Sequence, residues 1–340
     1  MDYIVKNKLT VLISLATLFA TPVMATSPVK EKLTVYTYGS FASEWGPGPK
    51  IEANFEKVCN CDLEFVALDD GVSVLNRLRL EGKNSQADVI LGLDDSLITT
   101  AKNTGLLSKH NIDLSPLSLK SQEKWSDDTF VPFDYGYFSF IYNSEKLKNP
   151  PTSLKELVEQ RDDINIIYQD PRTSTPGLGL MLWMKSVYGD EVNGAWQKLA
   201  KKTVTVTKGW SEAYNMFLEG EADMVLSYTT SPAYHIIAEG KKQYVAANFS
   251  EGHYTQTEVA AIVKGSKNKA LATTFMNFML SEGFQSEIAT GNWMYPVTDI
   301  ALPAQFSELT VPVKSLSFSS EIVAQKRSAW TKEWLIALTE

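Results

Sequence analysis

Seven residues, ADVILGL at positions 87–93, constrain the fold more than any other stretch. A short, almost wholly apolar run bounded by polar segments is what a strand buried on both faces of a parallel sheet requires. Its surroundings agree with that reading. Residues 33–38 (LTVYTY) alternate and are rich in β-branched and aromatic side chains, so they read as a strand. Gly46-Pro47-Gly48-Pro49 punctuates the chain before a helix with Ile51, Phe55 and Val58 on one face. Residues 63–68 give a second strand, ended by Asp69-Asp70-Gly71, and Val72, Leu75, Leu78 and Leu80 follow at helical spacing. Strand, helix, strand, helix, strand is the signature of an α/β domain.

Residues 130–143 (FVPFDYGYFSFIYN) form a long aromatic run, predicted as a strand that carries the chain from one domain into another. Past Asn149-Pro150-Pro151 the α/β rhythm restarts. Helices are predicted at 153–160, 177–187, 195–201 and 211–218, with a further one from Pro232. Strands are predicted at 164–168, 203–207 and 224–228, and the apolar stretch 258–263 returns the chain to the first domain. Residues 270–288 and 319–338 carry the longest helical patterns. At 340 residues, with 44% hydrophobic and 21% charged side chains, the chain has material for roughly two domains. Two α/β lobes joined by more than one crossing segment read as a hinged protein that closes on a ligand.

The amino terminus supplies an address. Lys6 and Lys8 precede an apolar core at residues 9–20, too short to span a membrane. Thr21-Pro22 breaks it, and Val23-Met24-Ala25 offers small residues for cleavage after Ala25. The expectation is a cleaved export signal and a soluble periplasmic protein. The mature chain then carries 30 positive and 39 negative groups, a net charge of −9. An acidic chain without a basic run is a poor match for nucleic acid or an anionic membrane surface. Cys59 and Cys61, one residue apart, are too few for a disulfide framework or a four-ligand metal site. They read as a local structural feature, joined or free.

In open α/β sheets, ligands sit beyond the carboxyl ends of strands, where helices present free N–H groups. The loops at those ends share one composition here. Tyr38, Ser40 and Trp45 follow the first strand, and Asp70 and Gly71 the second. Ser174 and Thr175 lie after residues 164–168, Trp210 opens a later helix, and Thr229, Thr230, Ser231 and Tyr234 follow residues 224–228. Asn292-Trp293-Met294-Tyr295 adds another aromatic turn. Ring faces attract cations, a carboxylate adds charge-assisted hydrogen bonds, and hydroxyls at a helix start hold a hydroxyl or phosphate. The inventory therefore favours a flat cationic ligand. Each residue also has an ordinary role available: Trp45 as cover for a turn, Asp70 as a helix cap, Arg172 as an ion-pair partner. Polyamine sites need acids spread along a cleft and iron sites need oxygen- and His-rich ligation, and neither pattern stands out.

The enzyme reading finds no support. The chain has no G-x-S-x-G, H-E-x-x-H, Walker loop or G-x-G-x-x-G. His110, His235 and His253 are scattered and read as solvated or core residues. The adjacent carboxylates Asp69-Asp70 and Asp94-Asp95 are poor acid/base pairs, since neighbours on a strand point to opposite faces.

At these same loops the sequence closely resembles the periplasmic thiamine-binding proteins of bacterial thiamine ABC transporters. The matching blocks include VALDDGVSVLNRLRLEGKNSQADVILGLD, YQDPRTSTPGLGL, KKTVTVTKGWSEAY, LSYTTSPAYH and TGNWMYP, in one order across the mature chain. The resemblance implies a type II periplasmic binding-protein fold with two α/β lobes around a hinged cleft. It places residues 26–132 with 256–340, including the C-terminal helices, in one lobe and 133–255 in the other. It implies a monomer that binds thiamine, thiamine monophosphate and thiamine pyrophosphate and passes them to a membrane permease driven by a cytoplasmic ATPase. No catalytic residue, cofactor or metal is implied. Asp70 and Gly71 resemble the pair holding the aminopyrimidine, although Asp69 stands where the family usually has Glu. Ser174 and Thr175 resemble the residues near the hydroxyethyl or phosphate end. Trp210, Tyr228, Thr229, Thr230, Ser231 and Tyr234 resemble the aromatic walls and their hydrogen-bonding partners, and Tyr38 and Trp293 fit the same cleft. Gly39 replaces an expected Asp, so any acidic contribution there is missing.

Overall fold

A computed structural model describes residues 30–119 and 124–339. The export signal assigned to residues 1–25 lies outside them. The first half runs β1 (Lys32–Tyr38), α1 (Gly39–Ala42), α2 (Gly48–Cys59), β2 (Asp62–Leu68), α3 (Gly71–Glu81), β3 (Val89–Asp94) and α4 (Ile98–Lys102). Long strand β4 (Val131–Asn143) leads into α5 (Leu154–Glu159), β5 (Ile166–Gln169), α6 (Thr175–Tyr188), α7 (Val192–Lys201), β6 (Thr203–Thr207), α8 (Trp210–Glu219), β7 (Met224–Tyr228), α9 (Pro232–Ala238) and β8 (Tyr244–Ala246). The return strand β9 (His253–Ile262) is followed by α10 (Lys269–Phe278), α11 (Glu282–Glu287), β10 (Tyr295–Pro296), β11 (Ser315–Leu316) and α12 (Ser320–Ala337).

The main strands hydrogen-bond in the order β2-β1-β3-β9-β4-β7-β5-β6. The β2-β1-β3 set is parallel and so is β7-β5-β6, whereas β9 and β4 join them antiparallel. The aromatic run is one strand, and β4 pairs with β9 through Tyr137 and with β7 from Phe138 onward. Period-two alternation explains how it serves both groups. Its even-numbered residues Phe138, Phe140 and Tyr142 enter an apolar cluster shared with Trp183, Leu226 and Trp334. On the other face, Val131, Phe133 and Tyr135 enter a cluster with Phe41, Phe55 and Phe275, and Ile141 enters another with Tyr214 and Val225.

β3 is buried at every position, as its composition requires. Its alternation is reset once. Val89 and Leu91 face one cluster and Ile90 the other, but Leu93 joins Ile90 because the register shifts between Leu91 and Leu93. Gly92, at φ +102°, absorbs that bulge, and a Cβ there would lie 2.3 Å from the Tyr38 ring.

Several expectations need correction. Val58 and Leu80 do not join their helices' buried faces and are 63% and 86% exposed. In α2, Ile51 and Phe55 already fill the contact at i, i+4, and in α3 Val74 is buried where the pattern named Leu80. Residues 270–288 are two helices, because the chain turns at Met279–Ser281 and restarts as α11, then runs into a π-helical turn at Ile288–Asn292. Cys59 and Cys61 are joined as a disulfide around Asn60, whose φ of 51° ends α2 in the left-handed region that Asn tolerates. Helix α12 belongs to neither half alone. Its Ser320 meets Thr99 at 2.6 Å, while Trp334 Nε1 donates to Tyr168 Oη at 3.1 Å and Glu333 pairs with Lys185.

The end of β3 supplies a pH test of the fold. Burial pushes the Asp94 carboxyl up to about 7, with its neighbour Asp95 adding repulsion, against Ser96 Oγ donating at 2.6 Å. A carboxyl raised in the folded state stabilises it at low pH and loses that contribution as pH rises from about 4 through 7. Asp94→Asn mimics the protonated form. Relative to wild type, urea unfolding should show this variant gaining on the order of 2–3 kcal/mol between pH 5 and pH 8.

Candidate functional site

Three helix starts converge on one carboxylate. Asp70 caps α3 in extended backbone, with Oδ1 accepting from Gly71 N at 2.7 Å and Thr175 N at 3.2 Å. Its Oδ2 accepts from Ser174 Oγ at 2.8 Å and Trp210 N at 3.1 Å. The residues that open α3, α6 and α8 thus share one acceptor, each adding the positive end of a helix. Burial lifts the Asp70 pKa, and the four donors pull the other way. Three of the four are backbone N–H groups that can only donate, which favours the carboxylate.

Two glycines make the convergence sterically possible. A Cβ on Gly71 would lie 2.1 Å from Gly92 O and 2.2 Å from Thr175 Oγ1. One on Gly209 would lie 2.6 Å from Asp69 O. The DDG motif therefore keeps its glycine for close backbone approach.

Beside this junction lies a cavity of about 290 Å³. Tyr38, Asp70, Trp210, Tyr228, Ser231, Tyr234 and Trp293 of the sequence-predicted set line it. Gly71, Ser174, Thr175, Thr229 and Thr230 do not; they are buried behind the lining. Ser174 caps α6 through Gly177 N, Thr229 N donates to Tyr137 O at 2.9 Å, and Thr230 Oγ1 lies 3.7 Å from Met294 Sδ. Their positions are those of scaffold for the residues beside them.

The lining is aromatic and held from behind. Trp210 stacks on Tyr214 at 4.8 Å between centroids and lies 6.3 Å from Trp45. Trp210 Nε1 donates to Ser227 Oγ at 2.7 Å, which meets Ser231 Oγ at 2.6 Å. The Tyr214 hydroxyl lies 3.0 Å from His235 Nε2, and His235 Nδ1 lies 2.6 Å from Glu239 Oε2. Burial lowers the His235 pKa, so this ring backs the wall as a neutral group. Tyr234 meets Trp293 edge-on at 5.4 Å, and Trp293 sits at φ +57°, a conformation bulky residues seldom adopt.

Sequence reasoning missed the second carboxylate. Glu258 lines the cavity from within the fully buried strand β9, accepting from Tyr38 Oη at 2.6 Å and Gln256 Nε2 at 3.0 Å. A single acid inside an otherwise uncharged buried strand was the available signal. Tyr214 was missed as well, Asn292 was named only as part of an aromatic turn, and Trp45 does more than cover a turn. Among the described lining residues there is no Lys, Arg or His. Arg172 pairs with Asp170 in its own loop and lies 5.6 Å over the Trp334 ring. His235 and His253 are core residues. No group of three or more metal-ligating side chains occurs among the described residues.

The comparisons with known proteins agree with this architecture. Residues 44–286 match the model of the bacterial extracellular solute-binding protein family, and the chain belongs to that family. It has the type II periplasmic binding-protein fold and is a solute-binding protein, not an enzyme. It is 60% identical over 93% of its length to the thiamine-binding periplasmic protein of Escherichia coli (strain K12), covering 97% of that chain. Identity is 52% with the protein of the same description from Brucella melitensis, over 96% of this chain and 98% of that one. A solved structure described as a periplasmic thiamin binding protein superposes with a TM-score of 0.90 at 60% identity, over 93% and 98% of the two chains. A ferric binding protein from Campylobacter jejuni, at 20% identity and a TM-score of 0.74 over 90% and 99% of the chains, shares the fold.

The Asp70 junction predicts sensitivity to small changes. Gly71→Ala should cost about 1–3 kcal/mol by forcing Gly92 and Thr175 apart. Asp70→Asn should cost about 1.5–3 kcal/mol, because its amide N–H groups oppose N–H donors. Urea unfolding of both variants checks these figures.

Proposed function

We propose that this protein is a periplasmic receptor that binds thiamine and its phosphate esters in the aromatic cavity and delivers them to the membrane permease of an ABC importer. The observation that carries the reading is the lining itself: seven aromatic rings, the carboxylates Asp70 and Glu258, and no cationic side chain among the described residues. Thiamine has a permanently charged thiazolium and a flat aminopyrimidine. Ring faces stabilise such a cation by about 0.5–2 kcal/mol per contact, and a carboxylate adds Coulombic attraction in a site sheltered from water. The relatives described as thiamine-binding match across nearly the whole chain, which supports carrying their ligand over.

Uncharged donors at the cavity, Ser40, Ser211 and Asn215, suit the hydroxyethyl end or a phosphate tail without a counter-cation. Lobes formed by residues 26–132 with 256–340 and by 133–255 would close over the ligand, with β4 and β9 as crossing segments. The export signal at residues 1–25, cut after Ala25, fits periplasmic work by a monomer.

Native mass spectrometry of refolded mature protein with thiamine, its monophosphate and its pyrophosphate tests the reading. One-to-one adducts are expected, and no adduct with any of the three would overturn it. Calorimetry should then show Trp210→Ala weakening thiamine binding at least tenfold, about 1.4 kcal/mol or more, and Trp45→Ala much less. Trp210 is stacked and hydrogen-bonded in place, whereas Trp45 is 55% exposed. Equal losses would misplace the wall.

A further inference from the structure

We propose that Glu258 and Asp134 share one proton in the ligand-free site, and that a permanently cationic ligand releases it on binding. The pair would make Glu258 the residue that selects for charge, and the inference rests on the reading of the cavity as a thiamine site.

Antiparallel pairing of β9 with β4 puts Glu258 directly opposite Asp134. Residues so paired have side chains about 5 Å apart, where two like charges repel. Both groups are buried, Asp134 completely. Most of their oxygens have donors: Tyr38 Oη and Gln256 Nε2 for Glu258, and Asn292 Nδ2 at 2.6 Å for Asp134 Oδ2. Asp134 Oδ1 has none. A proton between the two carboxyls supplies the missing donor and removes one of the two charges.

The described surroundings offer no counter-charge. From β1 comes Tyr38, from the β2–α3 loop Asp70, from β7 Tyr228 and from the turn before β10 Asn292. Asp94, the register partner of Glu258 on β3, is turned to Ser96, and Asp95 accepts from Thr257 N. None of these groups carries a positive charge. Burial holds both above the usual carboxylate range, and repulsion from Asp134 raises Glu258 further.

A fixed cation over Glu258 supplies the charge that the protein omits. The carboxyl O–H bond then breaks, its electron pair stays on the carboxylate, and the proton leaves to buffer. Affinity for such a ligand therefore rises with pH through the range in which the ligand-free pair holds its proton. A neutral ring of the same shape gains nothing from this exchange.

Calorimetry of the mature protein with thiamine at pH 6.5, in two buffers of different ionisation enthalpy, counts protons directly. Wild type should release about one proton per thiamine. Glu258→Gln should release none and bind at least tenfold more weakly. Asp134→Asn should bind within about threefold of wild type yet release no proton and show a flat pH profile. The amide that this change introduces donates to a Glu258 carboxylate already ionised. Binding by wild type without proton release overturns the proposal, as does an Asp134→Asn variant with the wild-type pH slope. Failure of wild type to bind thiamine overturns the ligand reading instead. Melting curves then judge the pair alone. Between pH 5 and 8 wild type should lose stability relative to Asp134→Asn as pH rises, and parallel curves would refute proton sharing.

Discussion

The carboxylate of Asp70 is the constraint around which the site is organised. It accepts hydrogen bonds from the first residues of three helices, two of which follow it by more than a hundred positions. Without that acceptor, the starts of α3, α6 and α8 would press unpaired N–H groups and like-signed helix ends together in a dry interior. With it, Trp210 is fixed at the mouth of α8, and Pro176 at the start of α6 reaches the same cavity. The glycines at 71 and 209 let the backbones approach closely enough for one side chain to serve all three helices.

The aromatic wall follows the same economy of polar groups. Four of the lining rings have their heteroatoms engaged by neighbours: Trp210 by Ser227, Tyr214 by His235, Tyr228 by Gln256 and Tyr38 by Glu258. Rings tethered by their edges keep their orientation against the cavity. The resulting surface is electron-rich and rigid, and both carboxylates stand within the lining it defines.

Much of this was legible in the chain. Strands β1, β2, β3, β6 and β7 were marked by alternation or by apolar runs, and the two-sided role of β4 by its length and aromatic density. The loops after those strands named seven lining residues. What escaped did so for physical reasons. Glu258 is met in its buried strand by Tyr38 of β1 and Asp134 of β4, partners that sequence spacing does not bring together. Ser174, Thr175, Thr229 and Thr230 occupy the right loops but spend their hydrogen bonds or their bulk inward, and a loop's composition does not say which way a side chain turns. The break between α10 and α11 was hidden because Met279 and Leu280 continue the apolar pattern through the turn. Val58 and Leu80 show the converse, an apolar pattern running one position beyond the face it describes.

The placement of the tryptophans has an optical consequence. Of the eight in the chain, Trp45, Trp210 and Trp293 line the cavity, while Trp183, Trp196 and Trp334 are fixed deep in the core. Emission from the core rings is shielded from events in the cavity, and emission from the lining rings is not. A flat, charged heterocycle stacked among them would quench one group and spare the other. The protein thus carries a reporter of its own occupancy beside an internal reference, and the fraction of light lost on loading measures how completely the site is filled without any label attached.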